Sequence, residues 1–277
     1  MRYKQIYNKI ETLKHSFDNF QIGHSLLGEE IICFHVGNYS GKQLLLTAGI
    51  HAREYISTLF LLKEIPFLAK KKMNAYIIPL LNPDGARLVM DGARFVKDRK
   101  LRRFLVDVNG GRNFDKWKAN LNGVDLNVNF DADWGGGKHN QRKLARENFI
   151  GHFPCSEIEN INIVNFLNRT KISGSIAFHS KGEVMYYGFK MKGERLKKEQ
   201  RLGLALAKIN GYELVKTKHS SGGLTDYIVS KYGVPSFTVE LGSEELTHPI
   251  GERFLPEIFE LNKNLPTEFF KLLEIFD

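Results

Sequence analysis

Short β-rich runs alternate with helical stretches along this chain, and the alternation narrows the fold more than any other feature of its 277 residues. Ile6, Ile10, Leu13 and Phe17 recur at helical spacing, which predicts an amphipathic first helix. Gly23, Gly28 and Gly41 then punctuate β-rich runs at 20–22, 31–36 and 44–48. A helix is expected over 57–70, followed by a β-rich run at 75–80 that ends in the turn signal Asn82-Pro83-Asp84-Gly85. Ser156 with Glu159 three residues later reads as a capping box at a helix start. The runs 175–178 and 235–241 read as buried strands, while 197–209 and most of 252–276 read as helical. Residues 109–137 are rich in Asn, Asp and Gly and predict a long ordered loop, a feature that in compact domains usually serves function. Strands alternating with helices predict an α/β sheet covered by helices on both faces. No repeat, low-complexity tract or linker interrupts the pattern, so the reading is one domain over 1–277.

Composition narrows the function classes. With 42% apolar and 26% charged residues the chain can build a sizeable core and is not disordered. The net charge of +9 favours anionic partners: phosphate backbones, anionic glycans or carboxylate-rich peptides. The basic run 97–103 lacks aromatic interleaving or a recognition motif. It reads as a solvated loop or helix face, and nucleic acid is not an expected partner. Cys33 and Cys155 are too few for a disulfide scaffold or a thiolate zinc cluster, although one bridge between them stays open. No apolar run with a small-residue cleavage site opens the sequence, and the longest apolar stretch, 58–69, is broken by Lys63, Glu64 and Pro66. The expectation is a soluble cytoplasmic protein without a membrane span, with export by another route left open.

The chemistry gathers where β-rich runs end. His51 and Glu54 follow the run 44–50, at the junction with the helix expected next. An imidazole at a strand end and a carboxylate in the first helical turn can converge on one ion, and zinc accepts both. Alone this spacing is weak, and it fits equally a loop histidine beside an N-terminal carboxylate. A catalytic zinc site needs a third protein ligand, and His179, directly after Ile176-Ala177-Phe178, is the best candidate. The other seven histidines lie on the first helix, in the early β region or in polar loops. Glu240 ends an apolar strand and therefore needs a partner or a function: a salt-bridged core carboxylate, or a general base.

Six motifs then appear in order: Gly49-Ile50-His51-Ala52-Arg53-Glu54; Asn82-Pro83-Asp84-Gly85; Gly123-Val124-Asp125-Leu126-Asn127; Phe149, Gly151, Pro154, Ser156, Glu157 and Glu159 as a spaced set; Phe178-His179-Ser180; and Phe237-Thr238-Val239-Glu240. Together they resemble the zinc carboxypeptidase family over nearly the whole chain. The resemblance implies a mixed, mainly parallel eight-stranded sheet between helices. It implies one Zn2+ held by His51, Glu54 and His179, with Asp125 fixing the orientation of His51. Glu240 matches the catalytic base. Lys118 falls where the family usually places an arginine that stabilises the oxyanion, keeping the charge but losing the fork. Arg53 and Asn127 fall at substrate-contacting positions.

Two departures bear on the substrate. The family's carboxypeptidases place an arginine after the Asn to clamp a terminal carboxylate, and here Val128 stands in that position. The mobile capping tyrosine is expected shortly before Gly222-Gly223, where Lys218, His219 and Ser220 stand instead. The stretch from Trp117 through Lys118, Ala119 and Asn120 to Val124-Asp125-Leu126-Asn127 is similar to that of bacterial γ-D-glutamyl-meso-diaminopimelate peptidases, which cut peptidoglycan stem peptides. That implies a peptidoglycan stem peptide as substrate, with Arg53 or Lys181 reading its carboxylates. The alternative is an ordinary metallocarboxypeptidase or N-acyl amino acid hydrolase, whose clamp would come from Arg112, Arg99, Arg102 or Arg103.

Overall fold

The computed structural model describes residues 2–275. Eight strands form one sheet: β1 (Asn19–His24), β2 (Glu30–Val36), β3 (Leu44–Ala48), β4 (Ala75–Ile78), β5 (Gly174–His179), β6 (Val184–Tyr187), β7 (Glu213–Lys216) and β8 (Ser236–Glu240). Their order across the sheet is β1-β2-β4-β3-β5-β8-β6-β7. The pairs β4/β3, β3/β5, β5/β8 and β6/β7 are parallel and the other three antiparallel, so the sheet is mixed and mainly parallel, as expected.

The central strands are apolar on both faces because both are covered. Leu44 and Leu46 face one core, with Ile176, Phe178, Phe237 and Val239. That core is closed by α1 (Tyr3–Lys14), α2 (Tyr55–Leu68), α6 (Gly193–Asn210), α8 (Leu255–Asn262) and α9 (Leu265–Ile275). Leu45 points the other way, with Ile31, Cys33 and Ile78, onto α5 (Ile158–Arg169) and α7 (Leu224–Tyr232). This is the period-two alternation of a strand buried on both sides. A third cluster around Trp117, Phe114 and Leu105 lies beside α3 (Pro83–Asp91) and α4 (Arg99–Asn109). Cys33 and Cys155 are both free thiols.

Several local expectations change. Asn82-Pro83-Asp84-Gly85 opens α3 rather than ending in a turn: the Asn82 side chain accepts from Gly85 N–H at 3.0 Å and Pro83 occupies the first helical turn. Asn and Pro suit a helix start as well as a turn, so the local signal was two-valued. The capping box at Ser156 does not form. Helix α5 starts at Ile158, the Ser156 hydroxyl donates to Glu157 Oε1 at 2.7 Å, and Glu159 is buried with Asn120 Nδ2 at 3.2 Å. The loop region expected over 109–137 contains a short 3-10 turn, Leu126–Val128, and its first residue belongs to α4. The basic run 97–103 reaches into α4, and α7 and the strands β6 and β7 carried no strong sequence signal. The C-terminal helical region agrees through Ile275; Phe276 lies outside the described residues.

Candidate metal centre

Three parallel strands, β3, β5 and β8, lie side by side and end together. Ala48 pairs with Phe178, and His179 with Glu240. The carboxyl ends of such strands are where an open α/β sheet presents its sites. After β3 the chain must turn sharply into α2, and Gly49 (φ +62°) permits it: a Cβ there would lie 2.4 Å from Thr58 Oγ1. The Ser57 hydroxyl donates to the Glu54 carbonyl at 2.7 Å and accepts from Gly49 N–H at 3.3 Å, locking the turn. Glu54 is the residue immediately preceding α2.

These constraints bring His51, Glu54 and His179 together, each no more than 5% exposed. Glu54 Oε1 lies 2.9 Å from His51 Nδ1, and Oε2 lies 3.1 Å from His179 Nδ1. The two Nδ1 atoms are 3.0 Å apart. One ligand atom from each residue can be chosen so that all lie within 4.8 Å of one another. Ser180 N–H donates to Glu54 Oε2 at 3.2 Å. Burial opposes ionisation of Glu54, but the two imidazoles outweigh it and hold the carboxyl well below its ordinary range. Two inward-facing imidazoles and a carboxylate form a donor set that suits zinc with a coordination position left for substrate.

Asp125 supports this group from behind. Its Oδ1 accepts from Asn127 N–H at 3.1 Å and lies 3.3 Å from His51 Nε2; its Oδ2 accepts from Asn148 N–H at 3.1 Å and lies 3.4 Å from Lys118 Nζ. The His51 Nε2 atom is buried and has no hydrogen bond of good geometry, so Asp125 is its nearest charged neighbour by ion-pair distance alone. Burial works against the Asp125 charge, but Lys118 and His51 overcome it and keep the carboxyl far below its usual range. Burial likewise disfavours the Lys118 ammonium, and Asp125 and Glu54 reverse that, raising its pKa. Lys118 is held by its neighbours: fully buried Trp117 packs edge-on to Phe114, and Ala52 N–H donates to the Lys118 carbonyl at 3.0 Å. Burial pushes Glu240 up to about 7, with Glu54 adding to the rise and His179 and Lys118 opposing it.

His51, Lys118, Asn127, Val128 and Glu240 line one cleft of about 490 Å3. Asn127 Oδ1 accepts from Leu224 N–H at 2.9 Å, tying the cleft to the start of α7. Gly222 (φ +83°) allows the same close approach, since a Cβ there would lie 2.6 Å from the Val128 carbonyl oxygen. Arg53 does not join this lining: its guanidinium donates to Glu147 and to the Lys116 carbonyl, each at 3.1 Å. Lys181 pairs with Glu244 at 3.1 Å and is also absent from the wall. Arg99, Arg102, Arg103 and Arg112 line a different cleft.

Lys218 and His219, which stand where the capping tyrosine was expected, follow β7 and line the cleft. Sequence reasoning passed over other wall residues: Lys216 and Tyr186 come from β7 and β6, and His139 and Asn140 follow the loop expected over 109–137. His248, assigned to a polar loop, is half-buried within electrostatic reach of Glu54 and His51, and burial pushes it down to about 4.

The zinc carboxypeptidase family model matches residues 5–264. A γ-D-glutamyl-L-diamino acid endopeptidase of Lysinibacillus sphaericus is 30% identical over 274 residues, covering 90% of this chain and 67% of that protein. The chain spans 67%, 64% and 58% of the length of the first three curated relatives it matches. Among solved structures, bovine thrombin-activatable fibrinolysis inhibitor, crystallised with a tick carboxypeptidase inhibitor, superposes with a TM-score of 0.73 at 21% identity, covering 100% of this chain and 97% of that one. A murein-tripeptide amidase from Escherichia coli O157 superposes with a TM-score of 0.60 at 22% identity, covering 93% of each chain. No helix among the described residues is long and apolar enough to cross a membrane.

Proposed function

The chain belongs to the zinc carboxypeptidase family, and from that premise we propose that it hydrolyses peptidoglycan stem peptides at the γ-D-glutamyl-meso-diaminopimelate bond. The observation that carries this reading is Val128 in the cleft wall. An isopropyl group offers no donor to a terminal carboxylate, whereas an arginine fork there would bind one strongly. A cleft without that clamp no longer demands a chain end, and a diaminopimelate whose α-carboxyl is in amide linkage can enter. The identity to a γ-D-glutamyl-L-diamino acid endopeptidase supports the same choice.

In this reading His51, Glu54 and His179 hold zinc, which when bound supplies Lewis acidity toward a carbonyl and toward water. Glu240 takes the proton of the attacking water and later delivers it to the leaving amine. A carboxyl pushed up to about 7 suits both transfers near neutral pH. Lys118 keeps its proton and presents a cation to the oxygen that becomes negative as the carbonyl is attacked. Asp125 orients His51 and Lys118 at once. Lys216 and Lys218 form no ion pair among the described residues and line the cleft, so they, rather than Arg53 or Lys181, read the free carboxylates of the stem peptide.

The test is digestion of a defined stem tri- or tetrapeptide beside an ordinary L-peptide with a free C-terminus, followed by mass spectrometry. Release of L-alanyl-D-glutamate from the stem peptide at the higher rate is expected. Faster removal of the C-terminal residue from the L-peptide would overturn the substrate assignment.

A further inference from the structure

A second concave surface lies outside the catalytic cleft and is independent of the hydrolase reading. Residues 91–112 carry seven lysines and arginines against three aspartates, +4 of the chain's +9. Most of these side chains are exposed, as expected of a solvated helix face. The fold also gathers Arg94, Arg99, Arg102, Arg103 and Arg112 in the wall of one cleft of about 730 Å3, between the end of α3, the start of α4 and the segment leading to Phe114. The catalytic cleft shares no wall residue with it.

The three nearby carboxylates do little to neutralise the wall. Asp98 caps α4, accepting from Lys100 N–H at 2.7 Å and Leu101 N–H at 3.1 Å. Asp107 lies 3.6 Å from Arg103, and Asp91, the one carboxylate in the wall, accepts from Tyr3 N–H at 3.3 Å. Arg102 is fixed by two hydrogen bonds to the Val96 carbonyl, at 3.0 and 2.6 Å. Arg94, Arg99 and Arg112 are exposed and form no ion pair among the described residues. Guanidinium groups collected on one concavity repel each other, and a ligand with several closely spaced negative oxygens relieves that repulsion while using their planar forks.

We infer that this cleft is a binding site for a compact oligophosphate. The chemistry is that of adjacent phosphate groups, whether in a free linear oligophosphate or in a short phosphodiester segment. Nucleic acid fits less well, because Phe114, the one aromatic among the described residues of the wall, is 2% exposed and offers no face for base stacking.

The experiment is calorimetric titration of tripolyphosphate into the intact, zinc-loaded chain at about 50 mM and about 200 mM salt, with the Arg99→Ala/Arg112→Ala variant alongside. Saturable 1:1 binding is expected, weakening steeply with salt and falling at least about tenfold in the variant. The variant should keep its melting temperature, zinc content and peptide hydrolysis. Methyl-capped phosphodiester oligomers in a second arm distinguish the two sources of the same chemistry. Absence of saturable binding would overturn the assignment. So would binding that survives the double substitution, which would place the ligand at the metal, or tighter binding of a single-stranded oligonucleotide of equal charge.

Discussion

Replacing Asp125 with asparagine tests the centre most directly, because one carboxylate serves four partners. Oδ1 accepts from Asn127 N–H and faces His51 Nε2; Oδ2 accepts from Asn148 N–H and faces Lys118 Nζ. An amide has the same shape but only one acceptor oxygen. Whichever way it is placed, its NH2 meets a backbone N–H on the other side, and a buried donor left unpaired costs about 1–3 kcal/mol. The lost charge adds to this. A unit pair at the 3.4 Å of Lys118–Asp125 is worth about 5 kcal/mol at an effective dielectric of about 20. Breaking a buried pair typically costs about 3–5 kcal/mol. Lys118 retains 19% side-chain exposure, so water recovers part of that and the lower end, about 3 kcal/mol, is expected. His51 loses its charged neighbour as well, which should weaken zinc binding about 10–100-fold. Urea unfolding of the metal-free protein at neutral pH reads the first effect, and competition with a chelator reads the second. A destabilisation under about 1 kcal/mol together with unchanged zinc affinity would refute the claim that Asp125 holds both neighbours.

His179→Ala should abolish stoichiometric zinc in metal analysis of the purified protein, since the site keeps only two of its three ligands; undiminished zinc would remove His179 from the site. Glu240→Gln should retain zinc but lower kcat by about 10²–10⁴-fold, and Lys118→Met should raise the barrier by about 2.7–4 kcal/mol, both read by steady-state hydrolysis of the stem peptide. Glu64 is fully buried on α2 with neither carboxylate oxygen hydrogen-bonded, and burial raises it from 4.5 to about 9 in spite of Lys263 and Lys71. Because the folded chain holds that proton and the unfolded chain releases it, this group's contribution to stability is full below about pH 4.5 and falls as pH rises toward 9. The loss approaches about 1.4 kcal/mol per unit, or about 4 kcal/mol between pH 5 and 8; Glu64→Gln should flatten that part of the urea-midpoint profile, and an unchanged slope would count against it.

How much was legible beforehand differs by residue, and the difference is physical. Strands β3, β5 and β8 could be read locally, because a strand covered on both faces must be apolar at every position, as Leu44-Leu45-Leu46 is. The polar residues that interrupt such runs, His51, His179 and Glu240, stood out for the same reason, and Glu54 followed from its spacing. The weaker elements were not legible. Strands β6 and β7 are four residues each and partly exposed, so their composition is ordinary. Asn82-Pro83 suits a turn and a helix start equally, and only the buried face of α3 decides between them. Chain order also said nothing of which cations share a cleft. Arg53 is one residue from a candidate metal ligand yet is drawn to Glu147, 94 positions away, while Lys216 reaches the cleft from the sheet's far edge. The basic run 97–103, read as a solvated loop or helix face, is indeed largely exposed, but its Arg99, Arg102 and Arg103 also line a cleft with Arg94 and Arg112. Local sequence determines which segments must be buried and therefore which polar residues are conspicuous. The order β3-β5-β8 and the long-range ion pairs decide which of those side chains meet, because both depend on contacts between residues far apart in the chain.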